Sequence, residues 1–310
     1  MKNLRLESIY DHLDGDSSKR IDQFCRTYTS SSGGLLESKA LWNLDYFGLS
    51  KTDLGTNLDP SQRAKIEESL GSSLLREAQL IEVAGTAFTA KMSLLAETQD
   101  QRSLYSFFAA DEARHLRFFD EMLGKAQMKD RKNKFFLDYL ETAISENPRP
   151  ILVLLVQVLL EGWGIRHYAT LGRECLNENV AEGFKAIVLD EGKHHGSGLV
   201  LFNPKELDSP LTKHLEDLVA EFLMMIRSGP VLVVSELDRA LGGLTKKQVE
   251  NLVEQMQIGK KIESDLALVS HLLSLAGADS LCMKMTEYNL FQLPKSSEVV
   301  STILSQLASQ

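Results

Sequence analysis

Apolar residues recur along most of this chain at the three-and-four spacing of a buried helical stripe. Period-two alternation between turn signals is missing. Prolines stand at 60, 148, 150, 204, 210, 230 and 294, leaving proline-free windows at 61–147, 151–203 and 231–293. Those windows are rich in Leu, Ala, Glu, Lys and Gln, which lose little rotamer freedom on entering a helix. The pattern therefore predicts an all-α protein. In the first sixty residues it predicts short helices around Ser30-Ser31-Ser32-Gly33-Gly34, a stretch without apolar period. Past Pro210, Leu211 to Ile226 is amphipathic, Gly229-Pro230 and Gly242-Gly243 read as breaks, and 245–275 and 297–307 resume helical spacing. The expected organisation is a helical extension over 1–60, a helical core over 61–204 and further helices over 205–310 packed on that core, as one compact domain.

Inside the core the chain repeats itself. LIEVAG (80–85) matches LLEGWG (159–164), and DEARH (111–115) matches DEGKH (190–194). Glu82 precedes Glu112 by thirty residues, and Glu161 precedes Glu191 by thirty. The midpoints, Glu97 and Leu176, fall in or beside the polar stretches ETQDQR (97–102) and NENVAEG (177–183), where a chain can reverse. At about 1.5 Å per residue, fifteen residues out and fifteen back return the second acidic residue to the level of the first. Glu and His three apart share a helix face, so Glu112 with His115 and Glu191 with His194 point the same way.

Four carboxylates and two imidazoles gathered in a bundle interior repel one another and lose hydration unless a cation joins them. Two divalent ions balance four carboxylates. A mixed oxygen and nitrogen donor set suits iron or manganese better than the thiolate-rich sites of structural zinc.

The pattern resembles the ferritin-like di-iron carboxylate superfamily, in which two helices of a four-helix bundle each give a Glu and two give Glu-x-x-His. The resemblance covers roughly residues 70–200. It implies a ferritin-like four-helix bundle with additional N- and C-terminal helices, and it makes Glu82, Glu112, His115, Glu161, Glu191 and His194 the metal ligands. The forty-nine residues from Glu112 to Glu161 leave room for that fold's single long crossover. Asp111 and Asp190 each precede a ligand Glu; in relatives of this type such an acid supports the His of the other half, which implies Asp190 for His115 and Asp111 for His194. Arg114 and Lys193 would neutralise those aspartates.

The implied activity is that of an O2-activating non-haem di-iron oxidoreductase, an oxygenase, desaturase or oxidase. It would act on a small-molecule or carrier-bound organic substrate, through a reduced di-ferrous centre and a peroxo-level species, with external electrons. Two iron ions are implied, with manganese also fitting, and dioxygen as co-substrate. Two other readings stay open: a ferroxidase or peroxide-reducing protein, and a non-catalytic, metal-stabilised helical module that binds a partner. The chain is longer than storage bundles usually are and has no Cys-rich iron site, which counts against the first. Two family variations are absent: Phe119 stands where radical-generating ribonucleotide reductase subunits carry Tyr, and Ile187 where arylamine N-oxygenases add a His.

Several neighbours carry two readings each. Gly85 and Gly164, three residues after a ligand Glu, either open space for dioxygen or substrate or allow close helix packing. Gln157 binds a substrate or ligand, or is a satisfied core amide. Thr86 relays protons or bonds its own backbone. His195 is an additional ligand or a capped imidazole. Glu77, about 140° round the helix from Glu82, and His167, six past Glu161, face elsewhere. The basic run Lys129, Arg131, Lys132 and Lys134 docks an acidic carrier or is simply solvated.

Composition narrows the setting. With 43% hydrophobic and 25% charged residues the chain is an ordinary globular one. Its formal charge of −9 argues against a general nucleic-acid surface. The charged start lacks the apolar core of a secretion signal, and Cys25, Cys175 and Cys282 have no metal-finger spacing. Free thiols in the cytoplasm are therefore expected. The apolar run from Ile151 to Leu160 is far shorter than the roughly 20 residues that span a bilayer, so no membrane helix is expected. A homodimer is compatible with all of this.

Overall fold

A computed structural model describes residues 4–6, 8–13, 19–28, 40–127 and 134–308, and among them the chain is helical with no strand. α1 (Lys19–Tyr28) and the short α2 (Asp53–Thr56) precede two long helices, α3 (Pro60–Leu95) and α4 (Gln99–Leu123). α5 (Lys134–Glu146) follows, and then α6 (Arg149–Leu152), which runs through a π-helix (Val153–Leu160) into α7 (Glu161–Glu174). α8 (Glu178–Leu201) comes next. The C-terminal set is α9 (Ser209–Arg227), α10 (Val231–Leu241), α11 (Lys246–Gln255), α12 (Ile258–Leu275), α13 (Asp279–Glu287) and α14 (Ser296–Leu307).

Helix starts follow their caps. The Asp59 carboxylate accepts from the Ser61 and Gln62 N–H groups at 2.8 and 2.9 Å, with Pro60 in the first turn where its missing N–H costs nothing. Thr98 accepts from the Gln101 N–H at 3.2 Å, and Asn177 from the Val180 N–H at 3.1 Å. Both reversals therefore occur in or beside the polar stretches that predicted them. Gly229 and Gly242 adopt φ of 76° and 75°, a conformation open to glycine, at the anticipated breaks. The stretch 245–275 differs from expectation: Gln257, at φ 49°, parts α11 from α12. α13 also has no counterpart in the sequence reading. The Ser30–Gly34 segment and Lys129, Arg131 and Lys132 lie outside the described residues.

The chain forms two compact units, one of Met1–Glu37 with Leu74–Leu152, the other of Ser38–Ser73 with Val153–Gln310. These boundaries differ from the grouping 1–60, 61–204 and 205–310, because residues 40–73 pack with the C-terminal half. Trp42 is the reason: fully buried, it donates from Nε1 to the Leu171 carbonyl at 3.0 Å, tilts against Phe184 and lies over the Cβ-free face of Gly71.

In the first unit α3 and α4 form an antiparallel hairpin. Contacts pair Arg76 with Leu123, Gln79 with Asp120, Glu82 with His115, Gly85 with Glu112 and Ser93 with Arg102; one index falls as the other rises. Arg76 and Gln79 donate to the carbonyls of Leu123 and Gly124, filling acceptors that the end of α4 leaves open. The buried Lys91 does the same for α5, donating to the Ile144 and Ser145 carbonyls at 2.8 and 3.0 Å. Burial pushes its ammonium down to about 8.

In the second unit the π-helix and α7 run antiparallel to α8. Gln157 meets Ser197, Val158 meets His195, Gly162 meets His195 and Gly172 meets Phe184. α9 and α12 pack on the π-helix, α12 also on α7, and α14 on α10 and α11. The Arg149–Glu174 stretch is long and apolar enough to cross a membrane by length and composition, which the short apolar run did not suggest. Its most apolar window is 67% buried within the protein, as in a core helix.

Candidate metal centre

Each hairpin gathers one of the two sequence triads. In the first unit Glu82 comes from α3 and Glu112 and His115 from α4; one donor atom of each lies within 4.8 Å of the others, and all three side chains are buried. In the second unit Glu161 opens α7, and Glu191 and His194 come from α8, again within 4.8 Å of one another. Here Glu191 and His194 are buried while Glu161 is half-buried. The Nδ1 atom of each imidazole turns to a carboxylate: His115 lies 3.3 Å from Glu82 Oε2, and His194 lies 3.8 Å from Glu191 Oε2. Glu77 is half-buried and belongs to neither group.

The donor chemistry of each triad fits a divalent transition metal. Two carboxylates and a neutral imidazole give oxygen and nitrogen ligands, with a formal charge that one such ion offsets. Bringing two carboxylates so close in a buried place without a cation would be electrostatically costly.

Charged residues flank the triads. Asp111 pairs with Arg114, and Asp190 with Lys193 at 2.6 Å, each along its own helix. Gly85 supports Glu112 directly, since a Cβ there would stand 2.2 Å from Glu112 Oε2. Its bare face is filled by the Glu112 carboxylate, whereas no described atom lies within 4 Å of a Cβ built on Gly164.

Of the residues with two readings, Thr86 donates its hydroxyl to the Val83 carbonyl at 2.8 Å, a bond within its own helix. The His195 Nδ1 sits 3.1 Å from the Val158 carbonyl, and burial lowers its affinity for a proton. Gln157 is fully buried and donates Nε2 to the His194 carbonyl at 2.9 Å and to Ser197 Oγ at 2.7 Å. His167 stacks on Trp163 with ring planes 7° apart, and burial pushes it down to about 4. Phe119 is fully buried against Phe118.

Sequence reasoning passed over the π-helix, Gly162, Ser197 and Gly198. A Cβ on Gly198 would approach Gln157 at 3.0 Å, and one on Gly162 would approach the His195 ring at 3.0 Å. The signal available for them was the cluster Gly196-Ser197-Gly198 within one turn of His194, together with the lone amide in VLLVQVLL.

Comparison of the chain with protein-family models, with curated proteins and with solved structures finds no match.

Proposed function

We propose that the protein is a metal-dependent, oxygen-activating oxidoreductase of an organic substrate, with one iron ion held by each triad. The observation that carries this reading is the recurrence of one donor set, Glu with Glu-x-x-His, drawn together within 4.8 Å in each unit. Glu82, Glu112 and His115 would hold one ion, and Glu161, Glu191 and His194 the other. Bound iron supplies the one-electron redox changes that dioxygen chemistry needs and that these side chains lack.

The remaining work falls to the chain. Carboxylates at Glu82, Glu112, Glu161 and Glu191 set the charge, and the imidazoles present Nδ1 as a lone pair. Val83, Phe88, Leu160 and Ile187 are buried apolar residues on the elements that carry the triads, and such surroundings would limit the access of bulk water. Asp111 and Asp190, neutralised by Arg114 and Lys193, limit the repulsion at the two ligand-bearing helices. Glu161 is half-buried and the face of Gly164, three residues on, is unfilled, which gives an organic substrate a route of approach to the second triad.

Anaerobic titration with ferrous ion tests the reading. Wild type should take up two ions per chain, and Glu161→Ala or His194→Ala should bind at least about tenfold more weakly at one of them. Admission of oxygen should then consume dioxygen with an optical change absent from both variants. Uptake below one ion per chain would overturn the proposal. Oxygen consumption that turns over ferrous ion alone and ignores every organic reductant would favour the ferroxidase reading instead.

A further inference from the structure

The polar group least explained by packing is Gln157. It lies in the π-helix, in a run whose other members are all Val or Leu, and it is fully buried. A π segment is wider and less well packed than an α-helix, so it persists where surrounding structure holds it. Here the bonds that hold it converge on one place. Both Nε2 hydrogens of Gln157 are used, one on the His194 carbonyl at 2.9 Å and one on Ser197 Oγ at 2.7 Å. Ser197 Oγ in turn donates to the same His194 carbonyl at 2.9 Å. The next residue along reverses the direction: His195 Nδ1, on α8, meets the Val158 carbonyl of the π-helix at 3.1 Å. Gly198 and Gly162 admit this approach, because a Cβ on either would crowd Gln157 or the His195 ring at 3.0 Å.

We infer that Gln157 and His195 form a reciprocal clasp that sets the backbone of His194 against the π-helix, so that Glu161, the residue immediately after it, reaches the distance needed to share a metal ion. Gln157 is then a positioning residue. It touches no proposed reactant, and it acts through the His194 backbone and the rotation of the segment that delivers Glu161. The inference rests on the metal reading above and deepens it by naming what aligns the second triad. A satisfied core amide would also bond its neighbours. It would not be expected to spend both donors on a ligand residue's carbonyl and the hydroxyl that shares it, with an answering bond one residue away on each helix.

The test uses the full-length protein and Co(II), whose visible ligand-field bands report coordination without any enzymatic turnover. Gln157→Met keeps the length and volume of the side chain and removes both donors. His195→Leu removes the answering donor, and His195→Asn retains a donor near the position of Nδ1. The expected result is a fall in Co(II) affinity of roughly 10- to 100-fold at one of two sites in Gln157→Met, with altered bands and with helix content preserved in far-UV circular dichroism. His195→Leu should show a smaller fall of the same kind, and His195→Asn should restore the wild-type spectrum. Should Gln157→Met fail to fold, the His195 pair decides. Wild-type affinity and unchanged bands in Gln157→Met, or equal behaviour of His195→Leu and His195→Asn, would overturn the clasp while leaving the metal reading intact. A wild-type protein that binds no Co(II) would overturn both.

Discussion

The α3/α4 hairpin and the hairpin of the π-helix, α7 and α8 carry the same three-residue set, Glu with Glu-x-x-His, yet they present it differently. In the first, regular α-helices suffice: the Glu112 carboxylate fills the bare face of Gly85, and all three side chains are buried. In the second, an eight-residue π segment delivers Glu161, a side-chain clasp holds α8 in place, and the face at Gly164 stays unfilled. The lesson is that equal sequence positions need not do equal work. Gly85 is a seat for a carboxylate, and Gly164 borders the more open triad.

Between those two glycines the larger effect should come from Gly85. Gly85→Ala places a methyl group where Glu112 Oε2 sits and should weaken metal binding at the first triad by about tenfold or more, read by Co(II) titration. Gly164→Ala meets no described atom and should leave metal binding unchanged, while stabilising α7 by about 0.5–1 kcal/mol in urea melts. Equal losses in both variants would erase the contrast.

Two bases with lowered proton affinity, one in each unit, separate the hairpins through pH. In the first unit Lys91 titrates at about 8 when folded, well below an ordinary lysine. Between pH 8 and about 10.5 the unfolded chain therefore holds the extra proton, and stability should rise with pH across that window. Below pH 8 the cost of burying the charged amine is full. Lys91→Met should flatten this alkaline rise in thermal melts. In the second unit His167, down at about 4, behaves similarly at acid pH. As pH falls from about 6.5 to 4 the unfolded chain takes up a proton that the folded chain refuses, and stability should drop. His167→Phe, which preserves the stack on Trp163, should reduce that drop. The positive charge of Lys261 adds to the burial that holds this imidazole neutral. A lysine variant without alkaline effect would show that the two carbonyl bonds outweigh the burial cost of Lys91.

Much of this was legible in the chain. Thirty-residue spacing around a polar midpoint foretold both reversals, and Thr98 and Asn177 cap the helices that leave them. The Glu-x-x-His pairs foretold which faces of α4 and α8 would carry donors. Glu77 and His167 were set aside by helical phase alone, and neither joins a triad. Other features were illegible because they depend on contacts distant in sequence. Lys91 sits in an ordinary AFTAKMSLL stretch, and only the end of α5 makes it a buried cap. Residues 40–73 look like part of a leading extension until Trp42 finds Leu171.

The order of residues determined the helical class, the turns and the six donor side chains, since these follow from local phase, capping and charge within a few residues. Whether a segment winds as α or π, whether a glycine seats a ligand or borders open space, and which polar side chain is buried were decided by packing. The local free energies of those alternatives are close, and contacts between segments far apart in the chain select among them.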